Sequence, residues 1–252
     1  MLNQIDIRDI VSIAKKAGNA IMQVYKRDFE VEYKQDNSPL TVADKNANKI
    51  IETGLSNLSV QLPILSEEGE VIPYETRRHW EYFWLVDPLD GTKEFIKKNG
   101  EFTVNVALIH KDIPVLGVVY APALDVCYWA KQNKGSYKDG KKLPLKTEAQ
   151  RKLYKIVASR SHMSNETKIF IDSIDTDKEK ELISIGSSLK ICLVAEGEAD
   201  IYPRLGPTME WDTGAAHAIV NESGNSLQRY KNNKYTRHSY NKKSLLIKEF
   251  KI

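Results

Sequence analysis

The amino-acid sequence predicts a mixed α and β fold with two intimate lobes, an α+β lobe at residues 1–150 and an α/β lobe at residues 151–252. Two observations support this prediction. Short strands separated by turn residues dominate the middle of the chain, whereas strands and helices alternate after about Leu153. A chain of 252 residues is long enough for one large domain or two such lobes, and it can bury a substantial core.

Two amphipathic helices and a series of strands are expected in the first lobe. Apolar residues recur at three- and four-residue steps from Ile7 to Val24, and again between Thr41 and Leu58. Alternation with period two predicts a strand at 29–33. Further apolar runs predict strands at 62–65, 82–86, 103–109, 114–120 and 126–130.

The second lobe is expected to alternate between strands and helices. The predicted strands lie at 155–158, 182–185 and 199–202. The predicted helices lie at 164–174, from after Ser188 to about Glu196, and at 212–220. The basic and aromatic stretch at 229–243 is typical of a solvated hairpin, and binding of single-stranded RNA is the alternative interpretation.

The composition excludes several classes of protein. Hydrophobic residues make up 41% and charged residues 28%, which excludes a mostly disordered chain, and a net charge of +3 gives no reason to expect nucleic acid or an anionic membrane as partner. The two cysteines, Cys127 and Cys192, have apolar neighbours, which favours free thiols in a reducing compartment. The longest apolar stretch, at 113–124, is too short to span a bilayer. Since the N-terminal residues also lack signal-peptide features, we expect a cytoplasmic protein.

Carboxylates beside turns and helix starts carry the chemical information in this sequence. They are Glu67 and Glu68 after one predicted strand, Asp87 and Asp90 after another, and Asp44 and Asp212 in the first turns of helices. The turn at 87–92 alone offers two carboxylates, the backbone carbonyl of Leu89 and the hydroxyl of Thr92. Oxygen ligands of this kind are those that Mg²⁺ prefers, so the cluster predicts a site for a hard cation.

Taken singly, each of these carboxylates also has a structural explanation. Asp44 completes the Thr-x-x-Asp capping box that begins at Thr41. Asp87 precedes a proline and Asp90 precedes a glycine, which is typical of turn residues. Asp212 could cap the helix that it opens.

Two longer motifs connect the carboxylates to a known family. The segments Trp-Leu-Val-Asp-Pro-Leu-Asp-Gly-Thr-Lys-Glu-Phe (84–95) and Glu-Trp-Asp-Thr-Gly-Ala-Ala-His-Ala (210–218) resemble the two signatures of the inositol monophosphatase superfamily of Mg²⁺-dependent, lithium-sensitive phosphatases. The segments 99–109, 186–190 and 195–208 resemble the CysQ-type branch, the 3'(2'),5'-bisphosphate nucleotidases. The resemblance spans essentially the whole chain and implies a layered α-β-α-β-α sandwich.

The resemblance implies a site for two or three Mg²⁺ ions. Glu67, Asp87 and the Leu89 carbonyl would bind one ion. Asp87, Asp90 and Asp212 would bind a second, so that Asp87 bridges the pair. Two ions would balance the charge of these four carboxylates and let the site accept a phosphate.

Further roles in catalysis are implied for three residues. Thr92 together with Asp44 would orient the attacking water at the first ion and take up its proton. Asp44 can serve in the capping box at the same time, because the two roles do not exclude each other. Glu68 would hold an outer water or an accessory ion.

The resemblance also implies the groups that hold the substrate. Those in the second lobe are Ser159, His162, Gly186, Ser187, Ser188, Lys190 and Arg204, and those around the scissile phosphate are Glu67, Leu89, Asp90, Gly91, Thr92 and Asp212. Backbone N–H groups at 186–188 could meet a phosphate, and Lys190 with Arg204 would supply cations for a second one. Structural alternatives stay open, because His162 could simply begin a helix and Lys190 could face solvent.

The expected reaction is the hydrolysis of adenosine 3',5'-bisphosphate (PAP) to AMP and phosphate, with PAPS converted to APS as a second reaction, in sulfur assimilation. The alternatives are an inositol monophosphatase or a fructose-1,6-bisphosphatase on the same fold, and, from another class, a non-catalytic protein that binds nucleotide or RNA. The expected partner is a small nucleotide bisphosphate, with no nucleic acid and no transmembrane segment. The resemblance leaves open the oligomeric state and a peripheral attachment at the cytoplasmic face of the inner membrane.

Overall fold

The computed structural model describes residues 1–33, 39–158, 163–231 and 234–252. The helices of these residues are α1 (Ile7–Tyr25), α2 (Val42–Ser56), α3 (Tyr74–Arg77), α4 (Thr92–Ile96), α5 (Asn165–Asp172), α6 (Leu189–Ala195) and α7 (Glu210–Glu222). The strands are β1 (Val31–Tyr33), β2 (Pro39–Thr41), β3 (Ile64–Ser66), β4 (Tyr82–Asp90), β5 (Thr103–His110), β6 (Ile113–Ala121), β7 (Val126–Lys131), β8 (Gly135–Lys138), β9 (Lys141–Lys142), β10 (Tyr154–Ala158), β11 (Lys180–Ser184), β12 (Pro203–Arg204), β13 (Thr208–Met209), β14 (Gln228–Lys231), β15 (Lys234–Arg237), β16 (Leu246–Ile247) and β17 (Phe250–Lys251).

A seven-stranded sheet forms the centre of the fold, with its strands in the order β3-β4-β5-β6-β7-β8-β9. Strand β3 runs parallel to β4, and every other neighbouring pair in this sheet is antiparallel. The pairing of β4 with β5 is regular up to Asp87 and then shifts its register before Asp90. A β-bulge or similar irregularity of this kind interrupts the regular alternation of side chains between Asp87 and Asp90.

Both faces of the central sheet are covered, which explains why β4 is apolar without alternation. Trp84 and Val86 belong to a buried cluster with α1 and α2, whereas Phe83 and Leu85 belong to another with α6 and α7. Successive side chains of a strand point to opposite faces, so a strand between two helical layers has to be apolar throughout.

Smaller sheets extend the second half of the chain. Strands β10 and β11 pair in parallel, β12, β17, β14 and β15 form a four-stranded sheet, and β13 pairs with β16. Val157 of β10 lies in the cluster that contains α6, while Ile156 and Ala158 pack with Ile171 of α5 on the other face. The layers therefore follow the order helix, sheet, helix, sheet, helix, which confirms the predicted α-β-α-β-α sandwich.

Most elements match the prediction, and one expected strand is wrong. Residues 199–202 form no strand of their own; Ile201 makes a single bridge to Ile156, and pairing begins only at β12. The helix α4 and the extension of β4 beyond Val86 were not predicted, because proline, aspartate and glycine at 87–91 are typical of a turn. The predicted C-terminal hairpin is confirmed by the antiparallel pair of β14 and β15.

The structure also bears on the cysteines and on membrane-spanning helices. Cys127 and Cys192 are both buried and free, as expected. Among the described residues, no helix combines the length and apolarity needed to cross a membrane. The division into lobes at residue 150 stays a prediction.

Helix α7 approaches the central sheet unusually closely at one glycine. A Cβ atom at Gly117 of β6 would lie 2.1 Å from the backbone oxygen of Ala215 in α7. Real Cβ atoms do not approach a carbonyl oxygen so closely, and neither backbone can move without disturbing its own layer. The absence of a side chain at Gly117 therefore sets the distance between α7 and the sheet.

We expect Gly117→Ala to lower the free energy of unfolding by about 3 kcal/mol or more, because the new methyl group clashes with backbone rather than with a movable side chain. Guanidinium chloride unfolding at neutral pH measures this change. The matched control is Gly206→Ala, where no heavy atom lies within 4 Å of the added Cβ. Equal stability of the two variants would contradict the packing constraint.

Candidate metal and phosphate site

Glu67, Asp87 and Asp212 come together from three elements that are distant in sequence. Each offers one carboxylate oxygen, and these oxygens all lie within 4.8 Å of one another. Strand pairing explains the first two, because Ser66 lies opposite Val86 and the N–H of Glu67 donates to the Val86 carbonyl at 3.1 Å. The first turn of α7 adds Asp212.

Asp90 completes the acidic cluster, which we define as Glu67, Asp87, Asp90 and Asp212. Its Oδ2 accepts hydrogen bonds from the N–H of Ser188 at 2.6 Å, from the Ser188 hydroxyl at 2.8 Å and from the Asn105 amide at 3.4 Å. The charge of Asp90 raises the pKa of both Asp87 and Asp212, which places it beside them.

Asp44 and Thr92 are brought together as predicted. The backbone N–H and hydroxyl of Thr41 donate to Asp44 Oδ2 at 2.8 Å and 2.6 Å, so the expected capping box is confirmed. The other oxygen of Asp44, Oδ1, lies 3.4 Å from the hydroxyl of Thr92. That hydroxyl is also 3.3 Å from the Leu89 carbonyl, which connects Asp44 to the turn of the acidic cluster.

The acidic cluster is electrostatically strained. Burial raises the pKa of Asp87 well above its usual range, and the neighbouring carboxylates raise it further. Burial and the charge of Asp90 raise the pKa of Asp212 to about 6, although the hydroxyl of Thr208 donates a hydrogen bond to it. Burial also raises the pKa of Asp44, and the nearby charge of Glu68 adds to this effect. Protons or cations must relieve this repulsion.

The donors present fit a hard divalent cation. Among the described residues, the tight group of possible ligands consists of carboxylates, with no histidine or cysteine. Asp87 is only 1% exposed, so bulk water cannot solvate its charge. Four ionised carboxylates match the charge of two Mg²⁺ ions, and carboxylate and carbonyl oxygens are the ligands that Mg²⁺ takes in proteins.

A cavity of about 360 Å³ opens beside the acidic cluster. Its walls include the acidic cluster, Leu89, Gly91, Thr92, the segment Gly186–Ser188, Lys190 and Arg204. The structure therefore brings most of the predicted residues, from both halves of the chain, to one cavity. Asp44 is buried and Glu68 half-buried, and neither is among the walls; Ser159 and His162 lie outside the described residues.

Two cations face this cavity from the second half of the chain. Lys190 is 7% exposed, and the hydrogen bond described for its ammonium is a long one of 3.4 Å to the Ile185 carbonyl. The alternative that Lys190 faces solvent is therefore wrong. Arg204 donates to the Pro207 carbonyl at 2.7 Å, and its positive charge lowers the pKa of Asp212.

The loop at Gly186–Ser188 has most of its amides engaged. The N–H of Gly186 donates to Glu101 Oε2 at 2.9 Å, and the N–H of Ser188 donates to Asp90. Ser187 has a left-handed backbone with φ of 50°, and its hydroxyl is buried without a partner among the described residues. An incoming phosphate would thus meet the Ser187 hydroxyl more readily than the two flanking amides, and the predicted phosphate contact of this loop stays a prediction.

Three polar residues of this region were missed by the sequence reasoning. Thr208 supports Asp212, Glu101 holds Gly186, and Asn105 contacts both Asp90 and Ser188. The sequence does mark Asn105 as unusual, because it is an amide in the middle of the apolar run at 103–109. A buried amide requires partners, so its position was informative even without a motif.

Comparisons with known proteins agree with this geometry. The sequence model described as "Inositol monophosphatase family" matches residues 4–249. A relative from Salmonella typhimurium, named "3'(2'),5'-bisphosphate nucleotidase CysQ", is 49% identical over 221 residues, covering 86% of this chain and 88% of its own. The protein of the same name from Escherichia coli K12 is 48% identical over 218 residues, covering 85% of this chain and 87% of its own.

Solved structures of members of this family have a similar fold. The crystal structure of CysQ from Bacteroides thetaiotaomicron, described as a bacterial member of the inositol monophosphatase family, superimposes with a TM-score of 0.85 at 42% identity, covering 97% of this chain and 95% of that one. A Thermotoga maritima IMPase has the same fold, with a TM-score of 0.79 at 22% identity and coverage of 97% and 90%. The predicted resemblance to the CysQ branch is confirmed, and the chain belongs to the inositol monophosphatase family.

Proposed function

We propose that this protein is a Mg²⁺-dependent 3'(2'),5'-bisphosphate nucleotidase that hydrolyses adenosine 3',5'-bisphosphate to AMP and phosphate, and PAPS to APS. The observation that carries the proposal is one cavity whose walls include both the acidic cluster and the cations Lys190 and Arg204. The names of the relatives from Salmonella typhimurium and Escherichia coli support this choice of substrate.

The acidic cluster and the Leu89 carbonyl are the groups that would hold two Mg²⁺ ions. When bound, the ions would lower the pKa of a water molecule and stabilise the negative charge that develops on the phosphate and on the leaving oxygen. The carboxylates contribute by presenting several oxygens to one small volume. Burial and neighbouring charges disfavour the ionised forms of Asp87 and Asp212, so cation binding would remove an electrostatic cost of the folded state.

Asp44 and Thr92 are suited to handle the proton of the attacking water. The Thr92 hydroxyl sits between the Leu89 carbonyl and Asp44 Oδ1, so it can accept a hydrogen bond from water while it donates to the carboxylate. Burial raises the pKa of Asp44, which makes this carboxylate a better base than an exposed aspartate. The oxygen of the attacking water would form a bond to phosphorus as the phosphorus–oxygen bond to the ribose breaks, and the leaving oxygen would take a proton from solvent to become the ribose hydroxyl.

Lys190 and Arg204 are suited to hold a second phosphate. The ammonium of Lys190 has one long hydrogen bond among the described residues, and a buried ammonium so weakly paired costs free energy unless an anion approaches it. A sugar monophosphate offers no such anion once its phosphate occupies the acidic cluster. A bisphosphate offers one phosphate to the acidic cluster and a second anion to Lys190 and Arg204, which favours the nucleotidase over an inositol monophosphatase.

A substrate panel is the direct test of this proposal. We expect phosphate release from adenosine 3',5'-bisphosphate to require Mg²⁺ and to exceed release from inositol 1-phosphate and fructose 1,6-bisphosphate in kcat/KM. Inorganic phosphate is measured with each ester, with and without Mg²⁺. A preference for either sugar phosphate would overturn the substrate assignment, and RNA binding with no Mg²⁺-dependent turnover would overturn the enzyme.

The variant that completes this test is Asp87→Asn. We expect it to lower phosphate release more than about 100-fold, since even the loss of an outer partner of a metal ligand commonly costs 10–100-fold. The metal-free variant should unfold at a higher temperature than the metal-free wild type, because one buried charge has been removed. The control is Asp125→Asn, which changes a carboxylate bonded to Tyr120 outside the acidic cluster.

Thr92→Val and Asp44→Asn test the proton path. Valine removes only the hydroxyl, and asparagine keeps an oxygen for the capping box of α2 while it removes the base. We expect kcat to fall by roughly 10²–10⁴ in each variant, with KM changed less than about twofold. Steady-state kinetics at saturating Mg²⁺ measure both constants, with Thr236→Val on the exposed strand β15 as control. A rise in KM with unchanged kcat would contradict the assignment.

Lys190→Met tests the second phosphate. The substitution keeps the apolar stem and removes a charge-assisted hydrogen bond, which is worth about 1.5–3 kcal/mol, or roughly 10–100-fold in binding. We therefore expect KM for the bisphosphate to rise by at least about tenfold, and KM for a sugar monophosphate that the wild type hydrolyses to change little. The exposed Lys134→Met is the control. Equal effects on both substrates would argue against this role.

A further inference from the structure

A chain of buried polar side chains crosses from the central sheet to the start of α6. Thr103, Asn105 and Ser188 are 0%, 1% and 2% exposed. Thr103 and Asn105 lie on β5, whose other residues are almost all apolar, and Ser188 precedes α6. Burial of an amide and two hydroxyls is costly unless each finds partners, so their arrangement has to be accounted for.

The hydrogen bonds of this chain lead to Oδ2 of Asp90 and to the backbone carbonyl of Asp212. The Thr103 hydroxyl donates to Asn105 Oδ1 at 3.1 Å, and the amide nitrogen of Asn105 donates to the Ser188 hydroxyl oxygen at 2.8 Å. The same nitrogen is 3.4 Å from Asp90 Oδ2. Because a carboxylate only accepts, the amide must turn its NH₂ group toward Asp90, and Thr103 keeps it there.

Ser188 joins two members of the acidic cluster. Its N–H donates to Asp90 Oδ2 at 2.6 Å, and its hydroxyl lies 2.8 Å from the same oxygen and 2.7 Å from the backbone carbonyl of Asp212. The hydrogen bonds described for the Asp90 side chain therefore all fall on Oδ2. These contacts restrain the rotation of the carboxylate group, and no hydrogen bond is described for Oδ1 among the described residues.

We propose that Asn105 and Ser188 are positioning residues that fix the cation-binding orientation of Asp90 against Asp212. The inference rests on the proposed Mg²⁺ site, and it assigns Ser188 to the support of a metal ligand rather than to direct contact with phosphate. Pre-orientation matters because a carboxylate that must be rotated and desolvated at the moment of binding loses affinity. Thr103 acts one step further out, through the amide of Asn105.

The experiment measures Mg²⁺ binding without substrate, as the rise in unfolding temperature of the full chain during a Mg²⁺ titration. We expect Ser188→Ala and Asn105→Leu each to raise the Mg²⁺ concentration at half-maximal shift by about tenfold or more, as loss of a ligand's supporting partner commonly does. The double variant should resemble the more affected single variant, because both residues act on the same oxygen. Ser188→Thr keeps the hydroxyl and should restore most of the affinity.

Ser223→Ala separates positioning from simple stability. The Ser223 hydroxyl is also buried at a helix end and donates to a backbone carbonyl, that of Val220, at 2.8 Å, but it lies at the opposite end of α7. We expect this control to lower the unfolding temperature of the metal-free protein without moving the Mg²⁺ midpoint. In the activity assay, Ser188→Ala should lower kcat at subsaturating Mg²⁺ while KM for the bisphosphate stays within about twofold.

The outcomes distinguish this inference from the proposed function. A Ser188→Ala protein with a wild-type Mg²⁺ midpoint overturns the positioning role, even if Asn105→Leu fails to fold. A wild-type protein whose stability does not respond to Mg²⁺ overturns both proposals. A shifted midpoint in Ser188→Ala, together with no hydrolysis of the bisphosphate by the wild type, supports the positioning role and overturns only the substrate.

Discussion

Repulsion between buried carboxylates is the constraint on which the site depends. The fold brings Glu67, Asp87 and Asp212 within 4.8 Å of one another, at a position where Asp87 is shielded from water. Backbone geometry imposes this approach, since parallel pairing of β3 with β4 fixes the first two and the packing of α7 fixes the third. The folded protein therefore contains repulsion between these carboxylates, which bound protons or cations can reduce.

Several carboxylates of the site combine a structural and a chemical role by using their two oxygens differently. Asp44 accepts from Thr41 with Oδ2 and faces Thr92 with Oδ1. Asp90 Oδ2 accepts a hydrogen bond from the N–H of Ser188, and Asp212 Oδ2 accepts one from the N–H of Met209. The capping explanations of Asp44 and Asp212 are thus confirmed, whereas Asp90 bonds a residue far along the chain rather than its own turn.

The sequence predicted those features that depend on local pattern. Helical periodicity located α1 and α2, and the carboxylates beside turns located the acidic cluster. The errors concern contacts between distant segments. Residues 199–202 are apolar enough for a strand but find only one bridge, and Asn105 acts through Ser188, which lies far along the chain. Periodicity contains no information about such partners, whereas a lone amide in an apolar strand indicates that one exists.

The site also connects the two halves of the chain physically. Asp90 from the first half accepts a hydrogen bond from the backbone N–H of Ser188 in the second half, and the Ser188 hydroxyl can donate to the backbone carbonyl of Asp212. Cation binding between Asp90 and Asp212 would act on the same contact, so ligand affinity and the packing of α6 and α7 on the sheet are linked. Any cation that binds the folded state alone adds RT ln(1 + [L]/Kd) to its stability, about 2.7 kcal/mol at a hundredfold excess over Kd. A divalent ion bound by repelling charges across this contact would therefore also help to hold the two halves together.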